Sequence, residues 1–274
     1  MPFTEINGID LYYEIHGHGD PLLLLHHGFG CVRMWDKIVP GLVESGYKPI
    51  CYDRRGFGQS GEGEDFLDFY VSDQFLAESV NELESFRDWL GVSSFSVVGQ
   101  CEGGVVGAEY AARYPDRVSS MVISSTLCFS DCAMHEFNIS KFTKTFDELD
   151  PDLRKKLTTW HGNRTKTFHN QFRQFGGAYG RFVFDLRPTL RKVKCPTLVL
   201  YPDRSFLFEV EQGVEFYRSL AQGELAVLPH CGHNTYDERP EEYVSHVVNF
   251  FDRRRLEGFK GDGIRTVDRV TCAG

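Results

Sequence analysis

The sequence predicts an α/β fold: a mostly parallel eight-stranded sheet with helices on both faces, interrupted by a helical cap. Three observations predict it. Short apolar runs alternate with longer amphipathic ones, the order produced when parallel strands are joined by crossover helices. Pro21-Leu22-Leu23-Leu24-Leu25 is apolar without alternation, as in a strand covered on both faces. The regular pattern then stops between Leu127 and Lys194, where aromatics and basic residues crowd together, and it returns at Cys195. The expected core therefore spans 1–126 and 195–255, the cap 127–194, and a loosely held C-terminal tail 256–274.

Taken in order, Phe3 to Ile6 and Ile9 to Ile15 read as two antiparallel strands around the turn Asn7-Gly8. The strand Pro21 to Leu25 ends in the loop His26-His27-Gly28-Phe29-Gly30. A Gly-rich loop after a central strand can turn a backbone N–H toward a neighbouring site, and Phe29 is the residue placed to do so. Cys31 to Gly46 reads as one helix, with Trp35, Ile38, Val39, Leu42 and Val43 on one face. Lys48 to Tyr52 is the next strand and runs into Asp53-Arg54-Arg55-Gly56-Phe57-Gly58-Gln59-Ser60, where Asp53 is expected to fix the loop. Asp68 to Leu90 reads as one long helix stopped by Gly91.

Ser94 to Val98 is a buried strand, and Val105 to Tyr114 a helix with small residues on one side. Between them lies Gly99-Gln100-Cys101-Glu102-Gly103-Gly104. A strand, a Gly-flanked turn and a helix form a nucleophile elbow: the turn strains its central residue and thrusts that side chain to the tip. The helix start behind it offers unpaired N–H groups to an anion. The tip residue is Cys101, where the usual pattern has serine. Val118 to Ser124, Cys195 to Tyr201 and Glu224 to Leu228 complete the strands, with helices over Val210 to Leu220 and Pro240 to Arg254. The loop Pro229-His230-Cys231-Gly232-His233-Asn234 carries the last histidines before the closing helix. Phe29, Cys101, Asp203 and His233 all follow strands, so one crevice at the strand ends can collect them.

Composition narrows the function. The 274 residues carry a net charge of −9, which argues against a nucleic-acid binder. No apolar run approaches the ~20 residues of a membrane span. The first residues have no basic and apolar leader pattern, and the eight cysteines match neither a disulfide framework nor a zinc site. The expectation is a cytoplasmic protein with reduced thiols, acting without a metal or organic cofactor. The cap region holds 13 Lys/Arg against 7 Asp/Glu, a basic surplus that could draw anionic substrates.

Over residues 3 to 254 the chain resembles the α/β-hydrolase family. The resemblance rests on the His27-Gly28-Phe29-Gly30 loop, the Asp53 to Ser60 stretch, the elbow, the Gly232-His233 loop and the insertion between the sheet halves. It implies Cys101 as nucleophile, His233 as general base, and the backbone N–H groups of Phe29 and Glu102 as the oxyanion hole. The Gly-His step favours His233 over His230 as base, and His26 and His27 are read as structural loop residues. The third catalytic group departs from the family. Its usual acid position holds Ser205, and the nearest carboxylate is Asp203. Either Asp203 reaches His233 in a remodelled loop, or the acid is missing or comes from elsewhere. A cysteine beside histidine and a helix N-terminus can exist as thiolate with imidazolium, which would lessen the need for a carboxylate. That pairing predicts fast alkylation of Cys101 near pH 7.

These features point to a cysteine-dependent hydrolase or acyl transferase acting on a small-molecule ester, lactone or thioester through an acyl-enzyme intermediate. The alternatives are a non-catalytic ligand-binding protein of the same fold, and a carbon–carbon bond hydrolase or lyase with His233 as base.

Overall fold

The structure is a computed structural model that describes residues 2–64, 66–175, 178–179 and 181–259. The chain opens with β1 (Phe3–Ile6), β2 (Ile9–Ile15) and β3 (Asp20–Leu25). After α1 (Val39–Glu44) come β4 (Tyr47–Tyr52), α2 (Phe66–Tyr70), α3 (Phe75–Leu90), β5 (Phe95–Gln100), α4 (Glu102–Arg113) and β6 (Val118–Ser124). The inserted segment contains β7 (Phe129–Ala133), α5 (Met134–Lys141), α6 (Pro151–His161), α7 (Thr165–Phe175), β8 (Val183–Asp185) and α8 (Arg187–Leu190). The chain then returns through β9 (Thr197–Pro202), α9 (Val210–Ser219), β10 (Gly223–Leu228), α10 (Thr235–Glu238) and α11 (Pro240–Phe259).

Eight strands form one sheet in the order β1-β2-β4-β3-β5-β6-β9-β10. The pairs β1–β2 and β2–β4 are antiparallel and the others parallel. Successive residues of the central strands feed opposite faces. Leu23 and Leu25 pack with α3, α4 and α9, while Leu22 and Leu24 pack with α1 and α11. From β3 the chain first winds outward to β4 and then crosses to β5 on the other side. This reversal opens a crevice at the C-terminal ends of β3 and β5, where a ligand finds room between loops that diverge.

Four expectations are corrected. The helix expected over Cys31 to Gly46 is a short 3-10 turn at Val32–Trp35 followed by α1. Pro40 sits in the first turn of α1, and deeper in a continuous helix it would clash with the carbonyl four residues back. The long helix expected from Asp68 is broken into α2 and α3. Ser72 turns the chain there, its hydroxyl donating to the Phe69 carbonyl at 2.8 Å and accepting the Gln74 N–H at 3.2 Å. The cap region, expected without strands, contains the antiparallel pair β7–β8 where the insertion leaves and rejoins the core. The sequence of β7, Phe129-Ser130-Asp131-Cys132-Ala133, has no regular apolar alternation, and β8 has three residues. The closing helix runs on to Phe259, past the expected start of the tail at 256, and residues 260–274 lie outside the described residues. Among the described residues no helix is long and apolar enough to cross a membrane.

Candidate active site

Cys101 links β5 directly to α4 with φ 51° and ψ −115°, a backbone state that side chains rarely adopt. Hydrogen bonds over-determine it. Its N–H donates to the Ser124 carbonyl at 2.9 Å, and its carbonyl accepts the Gly104 N–H at 2.9 Å. The helix can sit this close to the sheet only because side chains are absent. A Cβ on Gly103 would lie 2.1 Å from the Leu25 carbonyl oxygen, and one on Gly99 would lie 2.7 Å from the Gly103 oxygen. The elbow thus aims Cys101 into a cavity of about 470 Å³ roofed by the insertion.

Phe29, Glu102 and His233 line the same cavity. The His233 loop is tied to the elbow through its carbonyl, which accepts from Gln100 Nε2 and Ser125 Oγ, each at 2.8 Å. The His233 ring packs against the edges of Phe206 and Phe208, with centroids 5.6 and 5.5 Å away. Its Nδ1 meets Ser205 Oγ at 3.1 Å. Asp203, the nearest carboxylate in sequence, does not take this place. It is exposed and accepts the Cys231 N–H at 3.1 Å, and this bonding to the 230–231 loop holds its pKa below the ordinary value. The backbone explains the difference: Asp203 leaves β9 toward the β10 loop, and the next turn brings Ser205 under the imidazole. His230 is exposed at the far side of that loop, and its carbonyl receives Arg239.

Burial sets the protonation states. The Cys101 thiol lines the cavity and is half-buried, and desolvation, helped by the Glu102 charge, pushes it up to about 12. The Glu102 N–H donates toward the sulfur and opposes that rise. Desolvation lowers His233 to about 4. Both shifts favour a neutral thiol beside a neutral imidazole over the thiolate–imidazolium pair the sequence suggested, because desolvation outweighs the Arg54 charge at the sulfur and is the cause acting on the ring.

The two expected oxyanion donors differ. The Glu102 N–H lies at the start of α4 beside the sulfur. The Phe29 N–H donates to His27 Nδ1 at 3.1 Å, inside its own loop. That loop is braced from both sides. His27 Nε2 meets the Tyr236 hydroxyl at 3.0 Å, and the Phe29 carbonyl is held by His161 Nε2 at 3.0 Å. His161 Nδ1 accepts the Gly58 N–H at 3.0 Å, so Nε2 carries the proton that Phe29 receives. His26 Nε2 accepts the Arg54 N–H at 3.1 Å, a strut between loops. Asp53 is likewise a strut, accepting from Val32 and Gln59 at 2.6 and 2.8 Å, with burial raising it to about 6.

Sequence reasoning missed several of these parts. Glu102 contributes more than a backbone donor: its carboxylate pairs with Arg54 at 2.7 Å and accepts from Tyr70 at 3.1 Å, all buried. His161 lies far from the loop in sequence and only the packed cap brings it there. Gln100 could have been suspected, since a buried amide at a strand end needs partners. Among the described residues no cluster of side chains is arranged to hold a metal ion.

Comparison with known proteins agrees with the topology. Residues 20–141 match the family model described as alpha/beta hydrolase fold, a stretch that includes the Phe29 loop and the elbow. The chain is 24% identical to the proline iminopeptidase of Lactobacillus helveticus, with 92% of this chain and 97% of that protein covered. Among solved structures, the meta-cleavage product hydrolase from Pseudomonas fluorescens superposes with a TM-score of 0.75 at 19% identity, covering 92% of this chain and 97% of that one. The enol-lactonase from Burkholderia xenovorans gives 0.72 at 21% identity, covering 92% and 100%. The chain has the α/β-hydrolase fold.

Proposed function

We propose that this protein is a hydrolase, with acyl transfer to another nucleophile as its variant outcome, acting on an ester, lactone or thioester of a small, largely apolar acyl compound. The observation that carries the reading is Cys101 at φ 51° on the elbow, opening into a cavity that His233 also lines. The named activities of the similar proteins, which include a lactonase and a peptidase, support hydrolysis as the reaction class. In the reaction, Cys101 Sγ gives its proton to His233 Nε2, in the ring form whose hydrogen lies on Nδ1, and attacks the carbonyl carbon. The oxyanion develops beside the Glu102 N–H, and the Phe29 N–H joins when it leaves His27. A pre-aimed donor of this kind is worth on the order of 3 kcal/mol. Collapse expels the alcohol or thiol with the proton from His233, leaving a Cys101 thioester. Water, deprotonated by His233, then releases the acid.

The test is intact mass after brief exposure to an activated aryl acetate, for the natural chain and Cys101→Ala. One acetyl group gained by the first and absent from the second is the expected result. Turnover equal in both proteins would remove Cys101 from the chemistry. No adduct and no turnover in either would favour a binding protein, a reading that the occupied Phe29 N–H and the missing carboxylate at 205 also suit.

The cavity also suggests the substrate's charge. Its walls are largely aromatic and aliphatic, with Lys141, Lys144 and Lys156 at the mouth. Lys156 is shared with Asp237 at 3.0 Å, while Lys141 and Lys144 are exposed. The Glu102 carboxylate inside is already neutralised by Arg54. An acyl group with an anionic end at this mouth fits both features. Lys144→Gln is expected to lower kcat/KM for an anionic aryl ester by about 2- to 5-fold, with the neutral ester unaffected and the difference shrinking at high salt. Equal losses on both esters would argue that Lys144 serves structure alone.

A further inference from the structure

We propose that Ser205 holds His233 in the tautomer with its proton on Nε2, so that the ring must exchange tautomers before it can accept the Cys101 proton. The argument is a count of protons and lone pairs around one oxygen. A serine hydroxyl has one proton and two lone pairs. Ser205 Oγ has three neighbours: the Leu207 N–H at 3.2 Å, the Phe208 N–H at 3.2 Å and His233 Nδ1 at 3.1 Å. The two backbone N–H groups can only donate, so they take both lone pairs. What remains for His233 is the hydroxyl proton. Nδ1 must then be the acceptor, and a neutral imidazole with a bare Nδ1 carries its hydrogen on Nε2.

The two backbone bonds are a consequence of local folding. Ser205 bonds to the N–H groups two and three residues on, the turn that serine hydroxyls form at a chain reversal. The reversal carries Phe206 and Phe208 edgewise against the His233 ring, and these contacts restrict its rotation. A carboxylate here could accept the same backbone N–H groups with one oxygen. Its other oxygen would accept an N–H from Nδ1 and leave Nε2 bare. Serine therefore does more than omit a charge: it reverses the hydrogen bond that sets the ring. For Cys101 to lose its proton to Nε2, the ring proton must first move to Nδ1, where both lone pairs of Ser205 are taken. In its resting form His233 is a hydrogen-bond donor toward the cavity, able to hold a carbonyl oxygen or a leaving group.

Ser205 is thus a positioning residue. The tautomer follows from the hydrogen bonds alone, whereas its effect on rate rests on the reading of Cys101 as nucleophile. Two measurements separate them. In nitrogen NMR of the full chain at neutral pH, Nδ1 of His233 is expected to resonate as a pyridine-type nitrogen and Nε2 as a pyrrole-type one. The opposite assignment would overturn the proposal whatever the activity. The second is the acylation rate with an activated aryl acetate for Ser205→Asp and Ser205→Asn. The two side chains are alike in size, but only the aspartate is an obligate acceptor. S205D is expected to acylate about 10²-fold faster than S205N and the natural chain, the scale of a general base made available. Equal rates for S205D and S205N, with adducts forming on Cys101, would show that Ser205 acts through shape and would overturn its control of rate. If no variant forms an adduct, the Cys101 reading fails and the nitrogen spectrum alone decides the tautomer.

Discussion

At pH 7 Cys101 is expected to react with iodoacetamide about 30- to 60-fold more slowly than glutathione. Two opposing effects set this figure. Burial pushes the thiol from an ordinary value of 9 up to about 12, so the thiolate is roughly 10³-fold scarcer. A more basic thiolate is also a better nucleophile, and a Brønsted slope of about 0.4–0.5 returns some 15- to 30-fold of the loss. The rate should rise about tenfold per pH unit well into the alkaline range, because His233, lowered to about 4, is neutral throughout and supplies no charge to hold a thiolate. Peptide mass spectrometry across pH 5 to 10 checks it. A fast rate that is flat from pH 5 to 8 would mean an ion pair after all, and the neutral resting site described above would be wrong. Activation is thus left to bound substrate, whose polarised carbonyl can accept the electron pair as the proton leaves.

Gly103→Ala is expected to destabilise the protein by more than about 4 kcal/mol, beyond the usual cost of overpacking a core. The added carbon would meet the carbonyl oxygens of Leu25 and His26 at 2.1 and 2.6 Å. Those atoms are backbone at the end of a central strand, and no rotamer can move them. Relief would require α4 to lift from β3, which would open the buried contacts of Val105, Val106 and Ala108 and shift Cys101 from the cavity. Denaturant unfolding reads the effect. A midpoint equal to that of the natural chain would show that α4 does not sit against β3 as described.

The sheet and the elbow were legible in the sequence because both are written in local patterns. A short apolar run without alternation, bounded by turn signals, is the pattern of a strand covered on both faces, and closely spaced glycines around a strand end favour a tight turn into a helix. The helices at 31–46 and 68–90 were misjudged for the converse reason. Their apolar periodicity continues through Pro40 and Ser72, and the backbone break depends on one ring and one hydroxyl. The β7–β8 pair could not be read because β7 carries no regular apolar alternation and β8 has three residues.

The site divides along the same line. Sequence by itself placed Phe29, Cys101, Asp203 and His233 just after strands of a parallel sheet, and the crossing from β4 to β5 around β3 opens the crevice that Phe29, Cys101 and His233, but not Asp203, line. Which group touches His233 was beyond it. Asp203 and Ser205 are two residues apart, and the choice between them is made by the turn that carries Leu207 and Phe208 back onto the Ser205 hydroxyl. Protonation was beyond it as well. The same cysteine and histidine are an ion pair in a wet, charged pocket and a neutral pair where burial removes water, and part of that burial comes from the inserted segment that lines the cavity. The positions of the strands and of the elbow along the chain depend on neighbours in sequence, which a sequence displays. Solvation and the direction of a hydrogen bond are properties of neighbours in space, and here those neighbours come from the 205–208 turn and the roof of the insertion.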